Sequence, residues 1–142
     1  MASKVLLLSI RPKFAEKVFN GTKKVELRRV KPGISEGDIV VVYVSSPVKQ
    51  IWGTFEVGRI IEKPLHELWD LVQCEACLSK NEFDEYYDGI ERGYGIYIRG
   101  TAYIKQPIDL NEIRERWGGF HPPQSYRYLS MSDLDLLTQI VQ

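Results

Sequence analysis

The sequence predicts an α+β domain, because apolar runs of strand length and stretches with helical spacing occur together in one chain of 142 residues. Strand-like runs cover Val5 to Ile10, Ile39 to Val44, Gln50 to Ile61 and Ile96 to Ile104. Helical spacing covers the stretch after Pro12, then Pro64 to Val72, Lys80 to Asp88, Leu110 to Arg116 and Ser130 to Val141. A further strand, Asn20 to Arg29, is loaded with charge.

Val5 to Ile10 is apolar enough to be buried. Pro12 then opens a helix at its permitted first-turn position, with Phe14, Ala15, Val18 and Phe19 inward and Lys13, Glu16, Lys17 and Asn20 wet. Gly21 stops it. Turns at Lys31-Pro32-Gly33 and Glu36-Gly37-Asp38 precede Ile39 to Val44, a strand buried on both faces and ended by Ser45-Ser46-Pro47. In Gln50 to Ile61 the apolar Ile51, Phe55, Val57 and Ile61 share one parity, with Gly53 and Gly58 as bulge or close-approach points. Leu65, Leu68, Trp69 and Val72 restore helical spacing, and Gly89 closes the acidic helix that begins at Lys80. The start of the stretch His121 to Leu129 is irregular because of Pro122 and Pro123. Ser130 or Ser132 caps a last helix whose apolar face is Leu134, Leu137 and Val141.

The run Asn20-Gly21-Thr22-Lys23-Lys24-Val25-Glu26-Leu27-Arg28-Arg29 follows an Asn-Gly turn signal. Side chains alternate across a strand, so Lys24, Glu26 and Arg28 share one face and Lys23, Val25, Leu27 and Arg29 the other. Val25 and Leu27 are natural core residues, which turns Lys24, Glu26 and Arg28 outward. Lys23 and Arg29 flank the buried pair, where long stems reach a cleft. One acceptor among cations suits a pocket for a polar or anionic ligand. The competing reading is an edge strand whose charges prevent aggregation.

Ser9-Ile10-Arg11-Pro12, the helix after it and the Gly-x-Lys-x-x-Glu-x-Arg-Arg pattern of Gly21, Lys23, Glu26, Arg28 and Arg29 together resemble an ASCH domain. Gly37-Asp38 before Ile39 to Val44 is similar to the "GD" turn that opens the next strand of that family. The resemblance covers about residues 4–105 and implies a PUA-like small β-barrel with flanking helices. Residues 1–142 are then one ASCH/PUA-like domain, with a C-terminal extension packing on the barrel. Relatives in this superfamily bind RNA or modified bases. Some small members that this chain resembles are amidohydrolases acting on acylated cytidine, using a lysine, a threonine and a glutamate. Here the lysine falls on Lys23, the threonine position on Glu26, which is no hydroxyl nucleophile, and the glutamate near Glu75. Other members are linked to RNA cleavage, for which Lys23, Glu26 and Arg28 would be charge stabiliser, general base and phosphate clamp.

Composition narrows the classes. The formal net charge is zero, which argues against salt-driven binding of duplex nucleic acid over the whole surface. Its distribution is uneven. Arg11 to Lys31 holds eight basic residues against Glu16 and Glu26, whereas Glu62 to Arg92 holds nine acids against Lys63, Lys80 and Arg92. A basic pole and an acidic pole are expected, with an anionic ligand at the first and a protein partner as a candidate for the second. No apolar run approaches the roughly 20 residues that cross a bilayer, and Met1 to Lys4 lacks the features of a signal peptide, so a cytoplasmic protein is expected.

Cys74-Glu75-Ala76-Cys77 has zinc-knuckle or redox spacing, but no second pair of ligands accompanies it in sequence. Ordinary thiols are expected, with no metal and no cofactor. Tyr43, Trp52, Phe55, Tyr94, Tyr97 and Tyr103 include candidates for a base-stacking wall, although most fall on strands where core packing competes. Pro122 to Tyr128 sets polar residues behind rigid prolines, which makes Tyr126 and Arg127 ligand candidates. The expected function is binding of RNA or a nucleotide, with hydrolysis in the same cleft or protein interaction alone as alternatives. Arg28 and Arg29 clamp phosphate, Lys23 and Lys24 add charge, Glu26 accepts hydrogen bonds from a base or sugar, and Ser9, Lys13 and Lys17 extend the wall.

Overall fold

A computed structural model describes residues 4–31 and 33–141. The expected turn at Lys31-Pro32-Gly33 falls partly on Pro32, and the opening segment partly on residues 1–3, so both lie in part outside the described residues. The side chain of Val141 does too.

The elements are β1 (Val5–Ile10), α1 (Pro12–Phe19), β2 (Val25–Arg28), β3 (Ile39–Val44), β4 (Gln50–Pro64) and α2 (Leu65–Val72). They continue with α3 (Lys80–Tyr86), β5 (Arg92–Asp109), α4 (Leu110–Arg116), β6 (Tyr126–Tyr128) and α5 (Met131–Val141). One sheet in the order β2-β5-β4-β3-β1-β6 curls into a half-barrel, the α+β, PUA-like architecture expected from the sequence. β1 and β3 are parallel, while the other neighbours are antiparallel. β6 pairs Leu6 with Tyr128 and Leu8 with Tyr126, so a short polar segment becomes an edge strand.

Both faces of the sheet centre are covered, which is why β1 and β3 read as unbroken apolar runs. Leu6, Leu8, Val40, Val42 and Val44 pack with Ala15, Val18 and Phe19 of α1 on one face. Leu7, Val41 and Tyr43 pack on the other with Ile113, Phe120 and Leu137. A third cluster joins Val25 and Leu27 of β2 to Leu68, Val72, Phe83 and Tyr87. Full burial of each such side chain contributes about 1.5–3 kcal/mol, so the helices are held by these stripes more than by intrinsic propensity.

Ile51, Phe55, Val57 and Ile61 lie in three different clusters despite their common parity. Register shifts between Ile51 and Gly53, Thr54 and Glu56, and Val57 and Ile60 cause this, because each extra residue moves the following side chains to the other face. Gly53 marks a close approach: a Cβ there would stand 2.2 Å from the Ala102 carbonyl oxygen. Gly37 adopts φ 94°, and the buried Asp38 beside it accepts from the Lys4 and Ser35 backbone N–H groups at 3.0 and 2.8 Å. That pair fixes the entry to β3.

Candidate functional site

The parallel strands β1 and β3 end side by side, and the chain leaves them at Arg11 and Ser45. Curling of the sheet brings β2, α3, α4 and the Pro122 to Tyr126 segment around this point. Together they line a cleft of about 1090 Å³. Three hydrogen bonds hold its mouth. Arg28 Nη2 donates to Ser125 Oγ across the opening. Ser9 Oγ donates to the Pro123 carbonyl at 2.6 Å, while the Ser9 N–H donates to the Ser125 carbonyl at 3.0 Å.

Arg11, Arg28, Arg29, Lys49 and Arg114 all line the cleft, and none is paired with a carboxylate among the described residues. Arg29 Nη1 donates to the Tyr86 carbonyl at 2.9 Å, and Arg114 Nε to the Phe120 carbonyl at 3.1 Å. Each bond fixes one edge of a guanidinium and leaves further N–H groups for an anion. Lys49 has φ 56°, a left-handed backbone in the turn between β3 and β4.

The same cleft carries acceptors. Glu26, Glu82 and Glu85 line it with Phe14, Leu78 and Tyr86. Glu82 is already engaged: it accepts from Lys13 Nζ at 2.8 Å and from the Ser79 N–H at 2.9 Å. The Lys13 bond, followed by the Ser79 bond, lowers its carboxyl to about 2. Glu26 is half-buried and makes no hydrogen bond or ion pair among the described residues.

Lys23 is 4% exposed, and its Nζ donates to the Ala76 carbonyl at 2.7 Å and sits 5.1 Å from the Phe14 ring centre. Burial lowers the pKa of its amine, partly offset by the neighbouring charge of Glu26. Tyr43 is 2% exposed, and burial raises the pKa of its phenol. No fully enclosed side-chain oxygen or nitrogen lacks a partner among the described residues. The Tyr43 hydroxyl, which has none, therefore opens into the cleft.

Of the residues expected from the sequence, Ser9, Lys23, Glu26, Arg28, Arg29 and Tyr126 line this one cleft. Lys13, Lys17, Lys24 and Arg127 do not. Lys13 is paired with Glu82, and Lys24 is exposed at the entry to β2. Arg127 requires a correction to its expected place beside Tyr126. The two are consecutive in a strand and point to opposite faces, so Arg127 turns to Asp133 at 3.3 Å and to the Trp117 ring at 5.1 Å.

α3, which lies in the acidic stretch, touches the basic helix and strand at two points: Lys13 pairs with Glu82, and Arg29 donates to the Tyr86 carbonyl. Tyr43, one of the six aromatic candidates, lines the cleft, whereas Lys49 and Arg114 line it without having been among the expected site residues. Only the unpaired charge at Lys49 and Arg114 signals them in sequence, and nothing there brings the two together.

Cys74 is exposed, Cys77 half-buried, and both are free thiols. No group of three or more metal-ligating side chains occurs among the described residues, and no helix among them is long and apolar enough to cross a membrane.

The family model of the ASCH domain matches residues 8–120. A Zymomonas mobilis protein named ASCH domain-containing ribonuclease is 29% identical over 137 residues, 96% of this chain and 92% of its own length. The crystal structure of ASCH from Zymomonas mobilis superposes with a TM-score of 0.89, covering 96% of this chain and 94% of that one. Crystal structures of a Tyr-to-Phe and a Ser-to-Ala variant from the same organism give 0.89 as well. Large ribosomal subunit protein uL22 of Ureaplasma parvum is 25% identical over 127 residues, which is 89% of this chain and 40% of that protein. Human THYN1, crystallised in complex with 5-methylcytosine containing DNA, shares the fold at a TM-score of 0.69 and 13% identity over 99% of this chain and 98% of that one.

Proposed function

Because the chain belongs to the ASCH domain family, we propose that it binds RNA or a nucleotide in the cleft at the ends of β1 and β3. The observation that carries this reading is the convergence of Arg11, Arg28, Arg29, Lys49 and Arg114 on one opening with no carboxylate partner among the described residues. Cations left unpaired around a concave site attract phosphate, and guanidinium groups can take it bidentately. The Tyr126 and Tyr86 rings supply surfaces for bases. A-form duplex RNA is read by its shape across a wide shallow groove, whereas a concave cleft with aromatic walls suits bases that are already unstacked. The ligand is therefore single-stranded. Residues 1–142 act as one domain in this reading, since Pro122 to Tyr126 form a wall of the cleft and β6 pairs with β1.

A second reading is RNA cleavage in the same cleft, favoured by the ribonuclease name of the Zymomonas mobilis relative. Glu26 would take the proton of a 2′-hydroxyl as its oxygen bonds phosphorus and the P–O5′ bond breaks, the 5′-oxygen leaving with a proton from water, while Arg28 would hold the phosphate and Lys23 would stabilise developing negative charge. The amidohydrolase alternative has less support. Its third group, Glu75, is absent from the cleft lining and serves instead through its carbonyl, which accepts from the Lys24 and Val25 N–H groups at 2.7 and 3.3 Å. A protein partner on the acidic side is disfavoured by α3, which turns Glu82 and Glu85 toward the cleft.

Fluorescence anisotropy with a labelled single-stranded RNA, followed by gel analysis of that RNA after incubation, tests both readings. Salt-sensitive binding is expected, and shortening of the RNA that Glu26→Gln abolishes would add the enzymatic role. Absence of binding at low salt would overturn the proposal.

A further inference from the structure

Lys23 and Glu26 stand three positions apart at one end of the cleft and present a donor beside an acceptor. Lys23 spends one N–H on the Ala76 carbonyl, which leaves two further donors on its ammonium. Glu26 is half-buried, faces the same cleft and has no hydrogen-bond partner among the described residues. The Lys23 amine feels the Glu26 charge, yet the two form no ion pair within 4.0 Å. Glu82, the neighbouring carboxylate, is held by Lys13 and Ser79 and does not compete as an acceptor. Phe14, Leu78 and Tyr86 wall this end with apolar surface.

We infer that this end of the cleft is a base subsite that selects guanine. The inference rests on the RNA-binding reading above and adds its specificity. A carboxylate only accepts, and its two oxygens can take two parallel N–H bonds. Among the four RNA bases, guanine alone offers two adjacent donors on its pairing edge, N1–H and the N2 amino group, next to the O6 acceptor. Glu26 takes the two donors and Lys23 gives to O6. Adenine and cytosine each offer one amino group beside a ring nitrogen whose lone pair repels the carboxylate. Uracil offers one N–H between two carbonyl oxygens, so one Glu26 oxygen stays unpaired and desolvated. Arg28 and Arg29, next along the strand, take the flanking phosphates.

The test uses labelled single-stranded RNA pentamers of uridine that carry guanosine, inosine, adenosine, cytidine or uridine at the centre. Guanosine should bind about tenfold tighter than uridine, the scale of one good bidentate contact. Inosine, which lacks the N2 amino group, should lose several-fold relative to guanosine. Glu26→Gln should bring the guanosine-to-uridine ratio below about threefold while the melting temperature stays within a few degrees, because a carboxamide no longer offers two acceptors. Lys23→Met is the second variant and should reduce the same ratio. Equal binding of all five pentamers, or a ratio that survives Glu26→Gln, would overturn the guanine assignment and leave RNA binding standing. No binding of any pentamer would overturn both.

Discussion

Arg28 of β2 donates through Nη2 to the hydroxyl of Ser125, the residue that precedes β6, and so ties together the two edge strands of the sheet. The two residues are 97 positions apart in the chain. The bond closes the mouth of the cleft and fixes one of the cations assigned to phosphate.

Ser125→Ala removes that tether without emptying any core, because the contact is exposed. An exposed hydrogen bond contributes only about 1 kcal/mol net, because water takes the place of the lost partner. We expect the melting temperature to shift by no more than a few degrees, while affinity for single-stranded RNA falls by about threefold as Arg28 loses its fixed direction. Isothermal titration beside thermal unfolding checks both, and a large drop in melting temperature with intact binding would contradict the positioning role.

Tyr126 and Arg127 should separate cleanly. Tyr126→Ala removes a ring from the cleft and should weaken RNA binding by about 1–3 kcal/mol, the range for loss of one stacked base. Arg127→Ala removes the pairing with Asp133 and the stacking on Trp117, and should lower stability by about 1 kcal/mol while affinity stays within about twofold. Chemical denaturation midpoints and anisotropy measure the two quantities. Loss of affinity in Arg127→Ala at unchanged stability would place Arg127 at the ligand instead.

The same pair shows what the sequence makes legible. The alternation of Val25 and Leu27 inward with Glu26 and Arg28 outward follows from strand geometry, and the structure preserves it as buried and half-buried positions. Leu110 to Arg116 is readable as a helix from spacing alone. β6 is not readable, because three residues of mixed polarity carry no period and their pairing comes from β1, far away in the chain. Without that strand, Tyr126 and Arg127 look alike. Lys49 and Arg114 are hidden for a related reason: they meet Arg28 only after the sheet has curled. The three-way split of the β4 apolar residues is set by bulges, which depend on the partner strand as much as on Gly53 and Gly58.

Lys23 gives a pH signature. Burial places the folded-state pKa of its amine below the ordinary 10.5, so the unfolded chain binds a proton there over a window in which the folded chain has released it. Stability from this site therefore rises with pH between the lowered folded value and 10.5, with a slope of at most about 1.4 kcal/mol per pH unit. Lys23→Met should remove that rise. Urea midpoints of wild type and variant from pH 7 to 10 provide the check, and parallel curves would contradict a desolvated amine.

The central claim is that unpaired cations of one cleft hold the phosphates of single-stranded RNA, and its most direct test is the salt dependence of binding in wild type and in Arg28→Ala/Arg29→Ala. For single strands the slope of log affinity against log salt is about −0.7 for each phosphate neutralised. The double variant, folded and at unchanged melting temperature, should bind more weakly with a slope shallower by about 1.4, the value for two lost contacts. An unchanged affinity and slope in the folded double variant would contradict the account.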